Sequence, residues 1–332
     1  MKRLGIITLL VMAVGAAAIL FHQQDRIHSV QDAIAILVEP LRDGGLPEST
    51  ETATVSVRDR DVPSIRIATF NLEQFGVSKL QDEAAMARLS QVLQQFDIVA
   101  LQEITSKDPR AIEQLLAWVN RDEPRFDIIA GPRIGRTAQQ EQYAFLYDRS
   151  RVELDRSSSY VVTDPDDLLH REPFVVWGRV LGPEPSVAFT FTLVNVHVDP
   201  DLVDQELSWM ADVMRGVRND GRGEDDVILL GDFNADPNRI VRHVDVTGLQ
   251  VALREGTTNT RGTAAYDNIA FVQPGTVEYL GRSGVFDFYN EFDLTMDEAL
   301  DISNHLPVWA DFSLYEGGTP GAMASVPGRQ AR

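Results

Sequence analysis

The chain has 332 residues, 44% of them hydrophobic, enough for a sizeable core in one large domain or two small ones. There are 50 acidic residues against 30 basic ones, a net charge of −20, and only Lys2, Lys79 and Lys107 are lysine; this argues against packaging or tight non-specific binding of nucleic acid. Cysteine is absent, which removes disulfides from the fold and thiolates from the chemistry.

Met1-Lys2-Arg3 is positively charged, and residues 4–21 are uncharged throughout, at the lower edge of what a membrane-spanning helix needs. Residues 1–21 therefore read as an N-terminal membrane anchor, with the amino terminus in the cytoplasm and the remainder exported. Ala16-Ala17-Ala18 offers a cleavage site, so a removed signal and a secreted or periplasmic chain is the alternative; the apolar Ile19-Leu20-Phe21 that follows favours the anchor. Residues 22–63 read as a linker with one short helix near 30–41, followed by flexible Gly44-Gly45 and a polar run.

From Ile65 the pattern turns to strand, helix, strand. Ile65-Arg66-Ile67-Ala68-Thr69-Phe70 ends at Asn71; residues 83–96 carry a helical period; Ile98-Val99-Ala100-Leu101 ends at Gln102-Glu103. A second helix is expected over 111–119 and a strand over 126–130. Between 142 and 191 the pattern changes to short antiparallel-looking strands at 143–147, 159–162 and 174–180. The strand Thr192-Leu193-Val194-Asn195-Val196 ends at His197, and residues 202–217 are helical with Leu207, Met210, Val213 and Val217 as core. Val227-Ile228-Leu229-Leu230 suits a strand covered on both faces, and it ends abruptly in Gly231-Asp232-Phe233-Asn234-Ala235-Asp236. Short strands are expected to start in Tyr266-Asp267-Asn268-Ile269 and in Asp301-Ile302-Ser303-Asn304-His305-Leu306-Pro307-Val308-Trp309. Residues 316–332, rich in Gly and Pro, read as a disordered tail. This alternation predicts an α+β fold, a four-layer sandwich of two packed mixed, mostly antiparallel sheets with outer helices.

Strands that end in polar groups bring those groups to one edge, where such folds place their chemistry. Two imidazoles, His197 and His305, suit a phosphodiester: one deprotonates the attacking water and the other protonates the leaving oxygen. Each needs a carboxylate on its other ring nitrogen, and Glu141 and Asp267 are the candidates. Glu103, Asp232 and Asn234 form a hard, oxygen-rich set suited to Mg2+, Mn2+ or Ca2+, and poorly suited to zinc. Arg171, in His170-Arg171-Glu172-Pro173, is a candidate phosphate contact. Together they read as metal-assisted hydrolysis of a phosphate ester.

These strings, with Glu141-Gln142-Tyr143-Ala144-Phe145-Leu146-Tyr147 and Ala265-Tyr266-Asp267-Asn268-Ile269, closely resemble the endonuclease/exonuclease/phosphatase superfamily and, within it, the deoxyribonuclease I branch. The resemblance spans about residues 65–312 and implies a catalytic domain over 64–315. It implies that Glu103 and Asn71 bind or organise the divalent ion, that Asp232 and Asn234 contact the scissile phosphate or a second ion, and that His197 with Glu141 and His305 with Asp267 act as general acid and base. Two departures stand out. Asn304 occupies a metal-side position where the family has an aspartate, implying weaker ion binding. Thr105 and Gln139 stand where DNA-cutting relatives have a minor-groove arginine and tyrosine. The function implied is a divalent-metal-dependent phosphodiesterase of the DNase I-like endonuclease type, with DNA as a possible substrate. The alternatives are an esterase for lipid headgroups or small nucleotides, and a degenerate, non-catalytic binding module.

Overall fold

Alternation in the strands and a 3.6-residue period in the helices sort the apolar side chains into three layers of core. In the computed structural model, which describes residues 63–136 and 140–318, these layers lie between two sheets and on their outer faces. The expected anchor, all of the linker but Pro63, Gln139 and the chain beyond Gly318 fall outside the described residues. Among the described residues no helix is long and apolar enough to cross a membrane.

The first sheet comprises β1 (Ser64–Phe75), β2 (Ile98–Ile104), β3 (Phe126–Ile134), β4 (Glu141–Asp148), β12 (Tyr279–Val285) and β13 (Val308–Ser313), in the order β12-β13-β1-β2-β4-β3. The second comprises β5 (Val152–Leu154), β7 (Phe174–Val180), β8 (Thr190–His197), β9 (Val227–Asp232), β10 (Leu249–Val251) and β11 (Asp267–Val272), in the order β10-β11-β9-β8-β7-β5, with β6 (Tyr160–Val161) paired to β7. Each sheet has one parallel pair, β1 with β2 and β8 with β9, and every other pairing is antiparallel. In β9, Ile228 and Leu230 point between the sheets while Val227 and Leu229 point outward, so the uninterrupted apolar run is buried on both faces as expected.

Short helices cover the outer faces. On the first sheet lie α1 (Val77–Gln81), α2 (Glu83–Leu93), α3 (Ala111–Val119), α6 (Phe288–Glu291) and α7 (Met296–Ile302). On the second lie α4 (Val203–Arg218) and α5 (Pro237–His243). Helix α4 buries Val203, Leu207, Met210, Ala211, Met214 and Val217, an i, i+4, i+7 stripe worth about 1.5–3 kcal/mol for each large side chain. Asp236, the last acid of the 231–236 run, serves structure: it caps α5 by accepting from the Asn238 and Arg239 N–H groups, with Pro237 in the first turn.

Two expectations are corrected. Asp301 and Ile302 end helix α7, and the strand begins at Val308; Thr295 and Glu298 form a capping box that starts this helix. Three residues of the expected disordered tail also belong to the fold. Glu316 N donates to Val187 O at 3.0 Å and Gly317 N to Glu278 Oε1 at 2.7 Å, bonds whose partners are distant in sequence and invisible to composition.

Candidate active site

The register of the sheets decides which polar groups meet. His197 lies opposite Asp232 across the parallel β8–β9 pair, and Asp232 lies opposite Asp267 across β9–β11, so one row of the second sheet carries all three. In the first sheet Asn71 lies opposite Gln102 at the matching ends of β1 and β2. A hydrogen bond from Gln102 Nε2 to Asn195 Oδ1 (2.7 Å) ties the two central pairs together, and Asn195 Nδ2 donates to the Leu101 and Ala144 carbonyls at 3.1 and 3.3 Å. Gly231 is needed here: a Cβ on it would lie 1.9 Å from the Val196 carbonyl oxygen, inside the strand pair that aligns His197 with Asp232.

Both imidazoles converge on one oxygen. His197 Nε2 lies 3.6 Å and His305 Nε2 3.7 Å from Asp232 Oδ2. The other ring nitrogens are held by the expected carboxylates. His197 Nδ1 is 3.0 and 3.2 Å from the Glu141 oxygens, and His305 Nδ1 is 2.9 Å from Asp267 Oδ2.

The tautomer of His305 follows from Thr258. This hydroxyl accepts from the Tyr266 and Asp267 N–H groups at 2.8 and 3.1 Å, so its proton points to Asp267 Oδ2 at 2.8 Å. That oxygen is thus an acceptor, His305 donates to it from Nδ1, and Nε2 faces the site. Thr258 is a positioning residue that sequence reasoning missed; its signal, a Thr in Thr257-Thr258-Asn259-Thr260, looks like any polar loop.

Burial dictates the electrostatics. Burial alone would depress the His305 imidazole, but the adjoining Asp267 and Asp232 carboxylates outweigh it and lift the group to about 10. His197 is raised in the same way, burial opposing the charge and hydrogen bond of Glu141 and the charge of Asp232. Asp232 is lowered: burial pushes it up, and the His305 and His197 rings with the Asn234 and Asn71 N–H groups pull it down. Asp267 is raised by its burial, despite His305 and Thr258. One of its oxygens, Oδ1, is buried with no hydrogen-bond partner among the described residues.

The remaining expected residues fall around this centre. Asn71 Nδ2 donates to Glu103 Oε1 and to Asp232 Oδ2, both at 3.0 Å, bridging the two acids. Its own oxygen accepts from Glu73 N at 2.9 Å, so Asn71 organises the carboxylates. Glu103 stands in the left-handed region (φ 57°), a strained setting for a non-glycine residue, and its second oxygen accepts from Gln74 N at 2.8 Å. Asn234, also left-handed (φ 47°), donates from its backbone to Asp232 Oδ1 (2.9 Å) and from Nδ2 to Val198 O (2.8 Å).

Arg171 Nε lies 3.3 Å from Glu141 Oε1 in an ion pair, and its buried Nε and Nη1 have no hydrogen-bond partner among the described residues. Asn304 is exposed; its backbone N–H donates to Glu73 Oε2 at 2.8 Å, and no hydrogen bond among the described residues joins its side chain to the acids. Lys79, another residue missed, donates to the carbonyls of Leu72, Glu73 and Ile302 at 2.7–3.1 Å, and burial lowers it to about 8.

A family model described as Endonuclease/Exonuclease/phosphatase family matches residues 68–285. The chain belongs to this family. Among its relatives is "Deoxyribonuclease-1-like 1" of Chlorocebus aethiops, 34% identical over 264 residues, covering 76% of this chain and 85% of that protein. Another is "Deoxyribonuclease gamma" of Homo sapiens, 32% identical, covering 74% and 85%. Among solved structures, a conserved protein of unknown function from Enterococcus faecalis V583 superposes with a TM-score of 0.52 at 18% identity, covering 74% of this chain and 98% of that one, which shows the shared fold. Membership of the endonuclease/exonuclease/phosphatase family makes the chain a hydrolase of phosphoric esters, and the four-layer sandwich inferred from the sequence is the fold found.

Proposed function

We propose that the chain is a divalent-metal-dependent phosphodiesterase of the DNase I-like endonuclease type, cutting DNA phosphodiester bonds with a histidine-activated water. The observation that carries this reading is the convergence of two carboxylate-held imidazoles on Asp232 Oδ2 at 3.6 and 3.7 Å. A phosphorus atom seated beside that oxygen has one ring on each side: one imidazole takes the proton of water, the other gives a proton to the leaving oxygen. Glu141 and Asp267 hold the rings in orientation and stabilise whichever is charged. Arg171 binds the non-bridging phosphate oxygens.

The donor set fits a hard cation. Glu103 and Asp232 present carboxylate oxygens bridged by one amide, with no thiol and no histidine pair free of carboxylates. These two residues would hold Mg2+ or Mn2+, or Ca2+ as an activating ion, with Asn71 steering them; Asn234 and Asn304 are the flanking candidates. When bound, the ion polarises the phosphoryl oxygen and offsets developing charge. Asp232, Asp267 and His305 also offer ligand atoms within 4.8 Å of one another, but that closeness is already explained by the ring lying between its two carboxylates.

A panel of duplex DNA and a small diester, each with Mg2+, Mn2+ and Ca2+ and with chelator, tests this. His197→Ala and His305→Ala should abolish hydrolysis, as should chelation; full activity in those variants sinks the proposal. The positive start and uncharged stretch over 4–21 support an exported catalytic domain, anchored or released by signal cleavage. Amino-terminal sequencing of the protein recovered from outside the cytoplasm distinguishes the two, and recovery only from the cytoplasm rejects both.

A further inference from the structure

We infer that the rim opposite the active site holds a second divalent cation, of calcium type, bound by the carboxylates of Asp226, Glu278 and Glu316. Asp226 directly precedes β9, whose far end carries Asp232, so the length of that strand, about 17–20 Å, separates this rim from the reaction. Glu278 directly precedes β12 and Glu316 follows β13. One oxygen from each of the three lies within 4.8 Å of the others.

The hydrogen bonding, which includes one from the Thr276 side chain to Asp226, leaves one oxygen of Asp226 and one of Glu278 without a partner among the described residues. Glu278 uses Oε1 to accept from Gly317 N at 2.7 Å, and Glu316 uses Oε2 to accept from Thr190 N at 3.2 Å. Asp226 Oδ1 and Glu278 Oε2 have no partner among the described residues, although the two residues are 2% and 1% exposed. Buried carboxylate oxygens need a donor or a cation. Glu224 and Asp225 bring further negative charge alongside, and among the described residues none of the five acids takes part in a salt bridge. Something positive must therefore enter: a proton shared between carboxyls or a metal ion.

Three observations favour the ion. There are three convergent carboxylates, more than one shared proton serves. Every donor is oxygen, which selects hard cations. Ca2+ gathers several carboxylate oxygens at once, whereas Mg2+ keeps most of its waters and takes one or two carboxylates, so three converging carboxylates suit Ca2+. The ion would clasp the start of β9 in one sheet to the edge strand of the other and fasten residues 316–318, acting on stability and leaving the chemistry to the distant cleft.

The indole of Trp177 donates to Glu224 Oε2 at 3.2 Å, which places a sensitiser beside the site. The full chain, stripped with chelator, is titrated with Tb3+ under tryptophan excitation, then with Ca2+ as competitor, and its melting temperature is followed with and without Ca2+. Native protein should show sensitised emission that Ca2+ displaces and Trp177→Phe dims, with a melting temperature that rises with Ca2+. Glu316→Gln, at the exposed edge, should weaken Ca2+ roughly tenfold or more, and Asp226→Asn with Glu278→Gln should remove both responses. Emission and melting shift unchanged in these variants would overturn the assignment. So would a native protein indifferent to Ca2+ that Asp226→Asn alone stabilises, the signature of a shared proton.

Discussion

Replacing Asp267 with asparagine isolates the charge in the His305 pair from its geometry. Thr258 fixes the position of Oδ2 as an acceptor, and Oδ1 is buried without a partner, so an amide can place its oxygen at the first site and its NH2 at the second with the ring undisturbed. What is lost is one carboxylate charge on a 2.9 Å hydrogen bond. A charge-assisted bond of this kind is worth about 1.5–3 kcal/mol, which predicts a fall in kcat/KM of roughly 10- to 150-fold on a small diester. The same change must lower the imidazole, which Asp267 and Asp232 hold at about 10 against burial. His305 is raised above its unfolded value of about 6.5, so its contribution to stability is complete below that pH and is lost as pH rises through about 10. In chelator, Asp267→Asn should therefore narrow the pH range over which the native protein keeps this stability. Ring NMR of His305 against pH, beside steady-state kinetics, checks both halves. A variant within threefold of native activity, or a native His305 titrating near 6.5 without metal, would refute the reasoning.

Glu103→Gln should weaken Mn2+ binding by at least about tenfold in calorimetry, since it removes one of the two carboxylates the Asn71 amide bridges; unchanged affinity moves the ion elsewhere. Gly231→Ala forces a methyl to within 1.9 Å of a backbone carbonyl and should destabilise the fold by more than about 4 kcal/mol in urea unfolding, with activity lost in step with folded protein. Asn304→Asp should tighten Mg2+ or Mn2+ binding if that position faces the ion, and equal affinities in the two proteins reject its role as a weakened ligand.

The parts of the site legible in the sequence are those the strands themselves carry. His197, Asp232 and Asp267 each sit where an apolar run meets polar residues, and the pairing of β8, β9 and β11 turns that punctuation into one row. The need of each imidazole for a carboxylate was readable, but which acid serves which ring came from the family resemblance, and the contacts found are Glu141 with His197 and Asp267 with His305. Groups that act through loop geometry were not legible. Thr258 owes its role to two backbone N–H groups that fix its proton, and Lys79 to three carbonyls brought together from residues 72, 73 and 302. The helix at 296–302 was hidden for the opposite reason: its short apolar content, Ala299 and Ile302, resembles the start of a strand until the Thr295 cap is recognised.

The placement of so many acids in one cleft follows from the single parallel pair in each sheet. A parallel pair directs two strand ends the same way, so Asn71 with Gln102 and His197 with Asp232 emerge on one edge, while the antiparallel strands β4 and β11 enter there with Glu141 and Asp267 at their first positions. The buried Gln102–Asn195 bond locks the two pairs across the core, which keeps the edges in line. Unpaired, these carboxylates would raise one another and protonate. Here each imidazole sits between two of them, so Asp232 stays low, and the charge that remains is concentrated where Glu103 opens to solvent. On the proposed function, a cation drawn to the mouth of the cleft would let an anionic ester enter in company with it, which would reconcile a net charge of −20 with a phosphate substrate.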